Sequence, residues 1–444
     1  MTAGSRRISG ALALGWLASF GCRDRGPPPE AGTAAADPAP LAADAAPARA
    51  LASTSGAAGA AAPVDAGGVA LLREAGLIQR RAAAGLSADA GAGACKLLRP
   101  PIMQPYGGPA VIRFVESDGG ETPELVFNDE GHPRRSLVPR STSPASANVP
   151  MPPKSTLPSC AVARDLIFCP DVSGAIRRTI GKVESDRVVA QSRAGTPIAA
   201  AAVGEHVILA YLQEVTTSEG LVREARVVLD DGLPLRLSEE GSGATSVELT
   251  SRGEEVVALI IDARVAMTPA HVRILRVEKG KLKLERDAVV FVGGAAERHN
   301  AGALALGKDG KAFALIPVAE TAETFGMAAI RLSDPPTDDE PVVWSLYPNG
   351  LDPAPIAATK GTSPIHVARV RPSGPDPEAS RVLEVGELGT SGEFGAKCIV
   401  SEAAFIKDVA LEVDRQGAMW LFWRDPRGSH LERRAMTPSP ARAP

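Results

Sequence analysis

The stretch Pro197-Ile198-Ala199-Ala200-Ala201-Ala202-Val203-Gly204-Glu205-His206-Val207-Ile208-Leu209-Ala210-Tyr211 decides how the whole chain is read. A strand of small residues runs through a turn centred on Gly204 into a second strand rich in β-branched and aromatic side chains, the pattern of a β-hairpin. The pattern recurs. Segment 246–250 leads through Gly253 to 256–261, and 303–306 leads through Asp309-Gly310 to 312–318. Segment 355–359 leads through Gly361 to 365–370, and 409–413 leads through Gly417 to 419–423. The turn glycines at 204, 253, 310, 361 and 417 are spaced by 49, 57, 51 and 56 residues. Each hairpin is followed by a third strand, at 225–229, 272–277, 327–332, 381–385 and 431–436, and 288–292 and 342–346 read as fourth strands.

Upstream, 161–168 reads as one more hairpin, turning at Arg164-Asp165, with 176–180 and 188–190 as its outer strands. Earlier still, 110–116 and 124–128 are strands separated by Ser117-Asp118-Gly119-Gly120. Short antiparallel strands in groups of four, repeating at roughly fifty residues, resemble the β-propeller superfold. The resemblance covers residues 95–436 and implies an all-β domain of six or seven four-stranded blades. The N-terminal strands then either form their own blade or complete the last one. Tandem β-sandwiches are the structural alternative, but they give no reason for self-similarity at this period. No WD dipeptide, kelch double glycine or Asp-box recurs through the blades. A Ser/Pro-rich insert at 137–158 reads as a mobile loop, and 437–444 as a disordered tail.

The ends of the chain carry a different message. Residues 1–22 have the form of an export signal, with Arg6 and Arg7 ahead of an apolar run at 8–20 that is too short for a membrane span. The run ends in Ser19-Phe20-Gly21-Cys22, which resembles the lipobox of bacterial lipoproteins. That resemblance implies lipidation of Cys22 and membrane attachment through an N-terminal lipid in the bacterial cell envelope. The alternative is a cleaved signal and a secreted soluble protein. Residues 23–66, dominated by Ala, Pro and Gly, read as a disordered tether. Residues 67–94, with Leu71, Leu72, Leu77 and Ile78, read as a short helix or linker.

Setting Cys22 aside leaves Cys95, Cys160, Cys169 and Cys398, an even number that favours disulfides in an exported chain. Cys160 and Cys169 lie equally far from the turn of one hairpin, so they face each other across it. Elimination pairs Cys95 with Cys398 and so joins the start of the domain to its end. No CxxC or CxxH spacing supports a zinc site, and neither a metal nor a cofactor is expected.

A formal charge of −4 is the wrong balance for a nucleic-acid partner. There is no GxSxG elbow, phosphate loop, HExxH or EF-hand loop, so no catalytic residue is assigned. The six histidines are scattered without ligand spacing. The propeller resemblance places ligands at one channel mouth, on the loops that lead into the innermost strands. Those loops hold Arg193 and Thr196, then Glu297-Arg298-His299-Asn300, then Asn349 and Asp352, then Lys407 and Asp408. Glu297, Arg298, His299, Asn300, Asp352 and Asp408 are the candidate ligand-binding residues. Arg134-Arg135 beside His132, and Asp338-Asp339-Glu340, read as solvent-facing turns. The expected function is that of a membrane-tethered extracytoplasmic binding or scaffold module for a protein, peptide or envelope glycan. The alternative is an exported hydrolase or lyase, with His299 as base and Glu297 or Asp352 as its partner.

Overall fold

A strand that is apolar at successive positions presents side chains to both faces, so it needs a packing partner on each. The second strand of every repeat has this composition. The computed structural model describes residues 95–436 apart from 105–107, 118–119, 139–156, 182, 219, 263–267, 294–301, 322–323, 333–341, 344–346, 349–355, 375 and 377–378. In it each such strand lies between two neighbouring sheets. Ile208, Ala210 and Leu212 of His206–Thr217 meet the following sheet, while Val207, Leu209 and Tyr211 meet the preceding one. Met419, Leu421 and Trp423 face one way, and Trp420 and Phe422 the other.

The described residues form seven sheets, each with antiparallel blade strands, and the protein is a seven-bladed β-propeller. Blade 1 is Ala110–Ser117, Gly120–Asp129 and His132–Leu137. Blade 2 is Ala161–Ala163, Leu166–Pro170, Ala175–Ile180 and Val183–Gln191. Blade 3 is Ala199–Val203, His206–Thr217, Gly220–Leu229 and Leu235–Arg236. Blade 4 is Ala244–Arg252, Glu255–Asp262, Thr268–Glu278 and Lys281–Gly293. Blade 5 is built on Ala303–Gly307, Ala312–Thr321, Thr324–Leu332 and Val342–Val343. Blade 6 is Ile356–Ala358, Ile365–Pro372, Arg381–Leu388 and Phe394–Ala403. Blade 7 is Lys407–Val413, Met419–Asp425, Gly428–Met436 and, as its outermost strand, Cys95–Gln104 from the other end of the domain.

The first strand of each blade contacts the first strand of the next, and that of blade 7 contacts that of blade 1, so the ring closes. Of the two options for the strands at 110–116 and 124–128, the first is realised, since they form their own blade; the last blade is completed instead by Cys95–Gln104, a strand that the sequence reading did not assign. The five glycines that mark the repeat all adopt positive φ, from +54° at Gly204 to +81° at Gly310, where a side chain would strain the turn. Both disulfides form as paired, Cys160 with Cys169 and Cys95 with Cys398, at Cα separations of 4.4 and 5.8 Å. Cys95–Cys398 links the outer strand of blade 7 to the outer strand of blade 6. It therefore pins the strand that closes the ring.

Several details differ from the sequence reading. Residues 132–137 are a strand, not a solvent-facing turn: Ser136 is buried, and Arg134 pairs with Asp129. That strand includes Leu137, and Val138 behind it is buried, so the proposed insert at 137–158 starts too early. Gly361 lies in a longer connection whose Lys360–Thr362 segment pairs in parallel with Ala303–Gly307 of blade 5. Inner strands are not restricted to small residues: blade 7 carries Leu411 and Glu412, and blade 4 carries Val247, Glu248 and Leu249. Residues 1–94, including Cys22 and the 67–94 segment, and the tail 437–444 lie outside the described residues.

Loop-closure entropy makes the two disulfides unequal. Cys95–Cys398 spans 303 residues and Cys160–Cys169 spans 9, which correspond to about 6 and about 3 kcal/mol on the chain-entropy argument. Chemical denaturation should rank a Cys95→Ala/Cys398→Ala variant as the less stable of the two double variants. The opposite order would show that strain or residual structure, not ring closure, governs their effect.

Candidate functional site

At the expected channel mouth, Glu297, Arg298, His299, Asn300 and Asp352 lie outside the described residues, as do Asn349 and Asp338-Asp339-Glu340. Asp408 is described. It sits at positive φ (+53°) in an irregular start to its strand, and its carboxylate is engaged by Arg424 of the adjacent strand. Arg193 pairs with Glu214 at 3.2 Å, and the Thr196 hydroxyl donates to the Arg193 carbonyl. These groups serve the local structure of their own blades.

Two of the histidines, His271 and His430, occupy equivalent positions in their blades. Where the second and third strands of a blade meet, an Asp stands two residues beyond the position that faces a basic residue. Phe127 faces Arg134, which pairs with Asp129 at 2.5 Å. Cys169 faces Arg177, 3.6 Å from Asp171. Ile260 faces His271, 3.5 Å from the fully buried Asp262, and Trp423 faces His430, 2.8 Å from Asp425. Burial alone would raise the Asp425 pKa, but hydrogen bonds from Arg427 and His430 outweigh it and hold the carboxyl below its ordinary value. His430 also stacks on Trp423 at 4.8 Å. An Asp in this register sits beside one ring nitrogen of each of two histidines. The sequence signal was present, an Asp ending the apolar run in four blades, but its partner lies five to nine residues on and so follows no fixed motif.

The axis carries charge at its other end, on the side of the turns between first and second strands. Lys360, in such a turn of blade 6, donates to the Leu249 carbonyl of blade 4 at 2.9 Å and lies 3.5 Å from Glu248. Glu412 of blade 7 shares this region. Burial pushes its pKa up to about 7 against the opposing pull of Lys360.

On that same side a cleft of about 440 Å³ opens over the seam between blades 7 and 1. Leu98, Phe114, Pro123, Val138 and Trp420 supply its apolar lining, and Arg99, Arg415, Arg433, Asp414, Glu116 and Glu121 its charges. The turn after Lys407–Val413 is rigid: Asp414 accepts from the amides of Gln416 and Ala418, from Trp420 Nε1 at 3.1 Å and from Arg433 at 2.7 Å. Arg415 reaches the other blade, where its amide donates to Glu121 at 2.8 Å and its guanidinium pairs with Glu116. The volume and the mixture of an apolar floor with a few fixed polar groups fit a preformed binding cleft. Sequence reasoning missed this site, because its residues come from 98–99, 114–138, 414–420 and 433 and share no motif.

No family model matches the chain, and no curated protein matches it. Among solved structures it is similar to a subtype N10 neuraminidase-like protein of A/little yellow-shouldered bat/Guatemala/060/2010, at 9% identity and a TM-score of 0.38, over 63% of this chain and 94% of that one. It is also similar to BamB from Moraxella catarrhalis, at 12% identity and a TM-score of 0.35, over 74% of this chain and 82% of that one. The computationally designed Ika8 protein matches at 12% identity and a TM-score of 0.37, over 74% and 96% of the two chains. Likeness at this level adds nothing to the strand pairing and ring closure described above.

Glu412 yields a signed pH dependence. Its folded pKa is raised from 4.5 to about 7, so the stability it contributes is full below 4.5 and is lost as pH rises through 7. Thermal melts should therefore show Glu412→Gln gaining several degrees over wild type at pH 8 and little at pH 4. A gain of equal size at both pH values would remove the assignment.

Proposed function

We propose that this protein is a lipid-anchored extracytoplasmic binding module that captures a protein or peptide at the cleft between blades 7 and 1. A seven-bladed ring accommodates binding proteins and hydrolases alike, so the fold does not choose between them. The observation that carries the reading is the cleft itself. It is preformed, its acidic groups are already matched by Arg415, Arg433 and the Trp420 indole, and its floor is apolar. Matched charges round an apolar floor favour recognition, since the orienting groups are fixed before the partner arrives. The two disulfides support an oxidising compartment. The export-type N-terminus and its Cys22 supply the anchor in this reading, with 23–66 as the tether.

Two measurements test the parts separately. Metabolic labelling with a fatty acid should mark the wild-type chain and leave Cys22→Ser unlabelled; equal labelling removes the anchor. A photo-crosslinking residue at Leu98, on the cleft, should trap one discrete species in intact cells, whereas the same residue at Leu233, which is 93% exposed on blade 3, should not. Indistinguishable products from the two positions would remove the cleft as the binding surface.

A further inference from the structure

The two disulfides stand in different surroundings. Cys160 and Cys169 are 2% and 0% exposed, inside the interface of blades 1 and 2. Cys398 is buried as well, but Cys95 is only half-buried and begins the outermost strand of blade 7. Its sulfur rests against the Met436 thioether, 3.2 Å away. A thiolate must reach a sulfur before it can open a disulfide. Access therefore singles out the Cys95 end of the bond that closes the ring.

The strand beginning at Cys95 is paired on one edge among the described residues, with Gly428–Met436. Register shifts between Leu97 and Arg99, and again between Arg99 and Ile102, divide that pairing into two short runs, 95–97 and 102–104. Pro100 and Pro101 lie between the runs and have no amide hydrogen to give to a ladder. Ile102 anchors the second run, since it is buried in the cluster between blades 7 and 1. The first run leans on the disulfide instead, with Leu97 and Leu98 41% and 38% exposed. Short, exposed strand ends open at low free-energy cost once nothing clamps them. Leu98 and Arg99 line the cleft, so the wall on this side is carried by the part of the strand that the bond holds down.

We propose that Cys95–Cys398 is a reducible site, and that its opening by a dithiol releases the first half of the Cys95–Gln104 strand and removes one wall of the cleft between blades 7 and 1. One thiolate of the dithiol attacks the Cys95 sulfur. The new bond forms as the bond to Cys398 breaks, and Cys398 leaves as a thiolate that takes up a proton. The second thiol then closes on the first, expels Cys95 as a thiolate that is protonated in turn, and leaves the reagent as its own disulfide. The protein disulfide becomes two thiols and the dithiol is oxidised by the same two electrons. The gate regulates the binding cleft and rests on that reading; the reactivity of the bond does not.

The first test treats the purified oxidised chain with dithiothreitol and traps free thiols with iodoacetamide. Mass spectrometry should find Cys95 and Cys398 alkylated at least tenfold faster than Cys160 and Cys169. Hydrogen exchange of the reduced, alkylated chain should show protection lost over 96–99 and kept over 208–212 in blade 3. Equal alkylation rates overturn the proposal. So does protection retained over 96–99, and so does protection lost throughout, which would make the bond a support of the whole ring. The second test places a photo-crosslinking residue at Gln416, on the opposite wall. It should trap the partner in the otherwise wild-type chain and not in Cys95→Ser/Cys398→Ser. The same product from both chains overturns the gate and leaves the cleft as the binding surface. No product from the otherwise wild-type chain removes the binding reading and the gate with it. Should the double variant fail to fold, alkylation and exchange on the wild-type chain still decide.

Discussion

The structure depends on one constraint: the second strand of every blade is apolar on both faces and cannot be covered by its own sheet. Seven interfaces between neighbouring blades answer it, and each holds its own cluster of buried side chains. An open stack of such sheets would leave two end blades with an exposed apolar face. Closing the stack into a ring removes both, at the cost of bringing residues some three hundred apart into one sheet.

The interfaces are unequal, and one of the two disulfides sits where the apolar packing is thin. Between blades 1 and 2 the cluster reduces to Val126, Ile167 and the two sulfurs of Cys160–Cys169, with Val162 beside it. Polar contacts make up the difference. The fully buried Asn128 donates to the carbonyls of Pro158 and Pro170 and accepts from the amide of Gly131. The second disulfide holds the closing strand against blade 6, where Cys398 is itself part of the core. Between these two reinforced places lies the seam of blades 7 and 1, bridged by the Phe127–Phe422 contact and by Arg415. A ring braced on both sides can tolerate an open cleft at that seam. An isolated four-stranded sheet would have no such reserve.

The hairpins were legible because their signals are local. Alternation and a positive-φ glycine act within a dozen residues, so Gly204 and Gly417 mark their turns without reference to the rest of the chain. The hairpin at Gly361 forms as read, but its Lys360–Thr362 segment also serves the neighbouring blade, an interaction no local pattern records. The strand His132–Leu137 was missed since it carries His, Pro and two Arg. Its strand character comes from pairing with Gly120–Asp129, not from its own composition. The same applies to the site. Arg99 and Arg433 are unremarkable in sequence, and their opposition exists only because strands from both ends of the domain become neighbours.

The sequence by itself determined the all-β class, the repeated hairpins, their approximate period and the pairing of the four cysteines. These follow from side-chain alternation, backbone preference and counting, which need no distant partner. Only the tertiary structure decided that there are seven blades, that one strand crosses from the start of the domain to finish the last of them, and that a cleft lies over the seam. Those features arise from the requirement that every two-faced strand be covered, and a closed ring meets that requirement by joining segments that the linear order keeps apart.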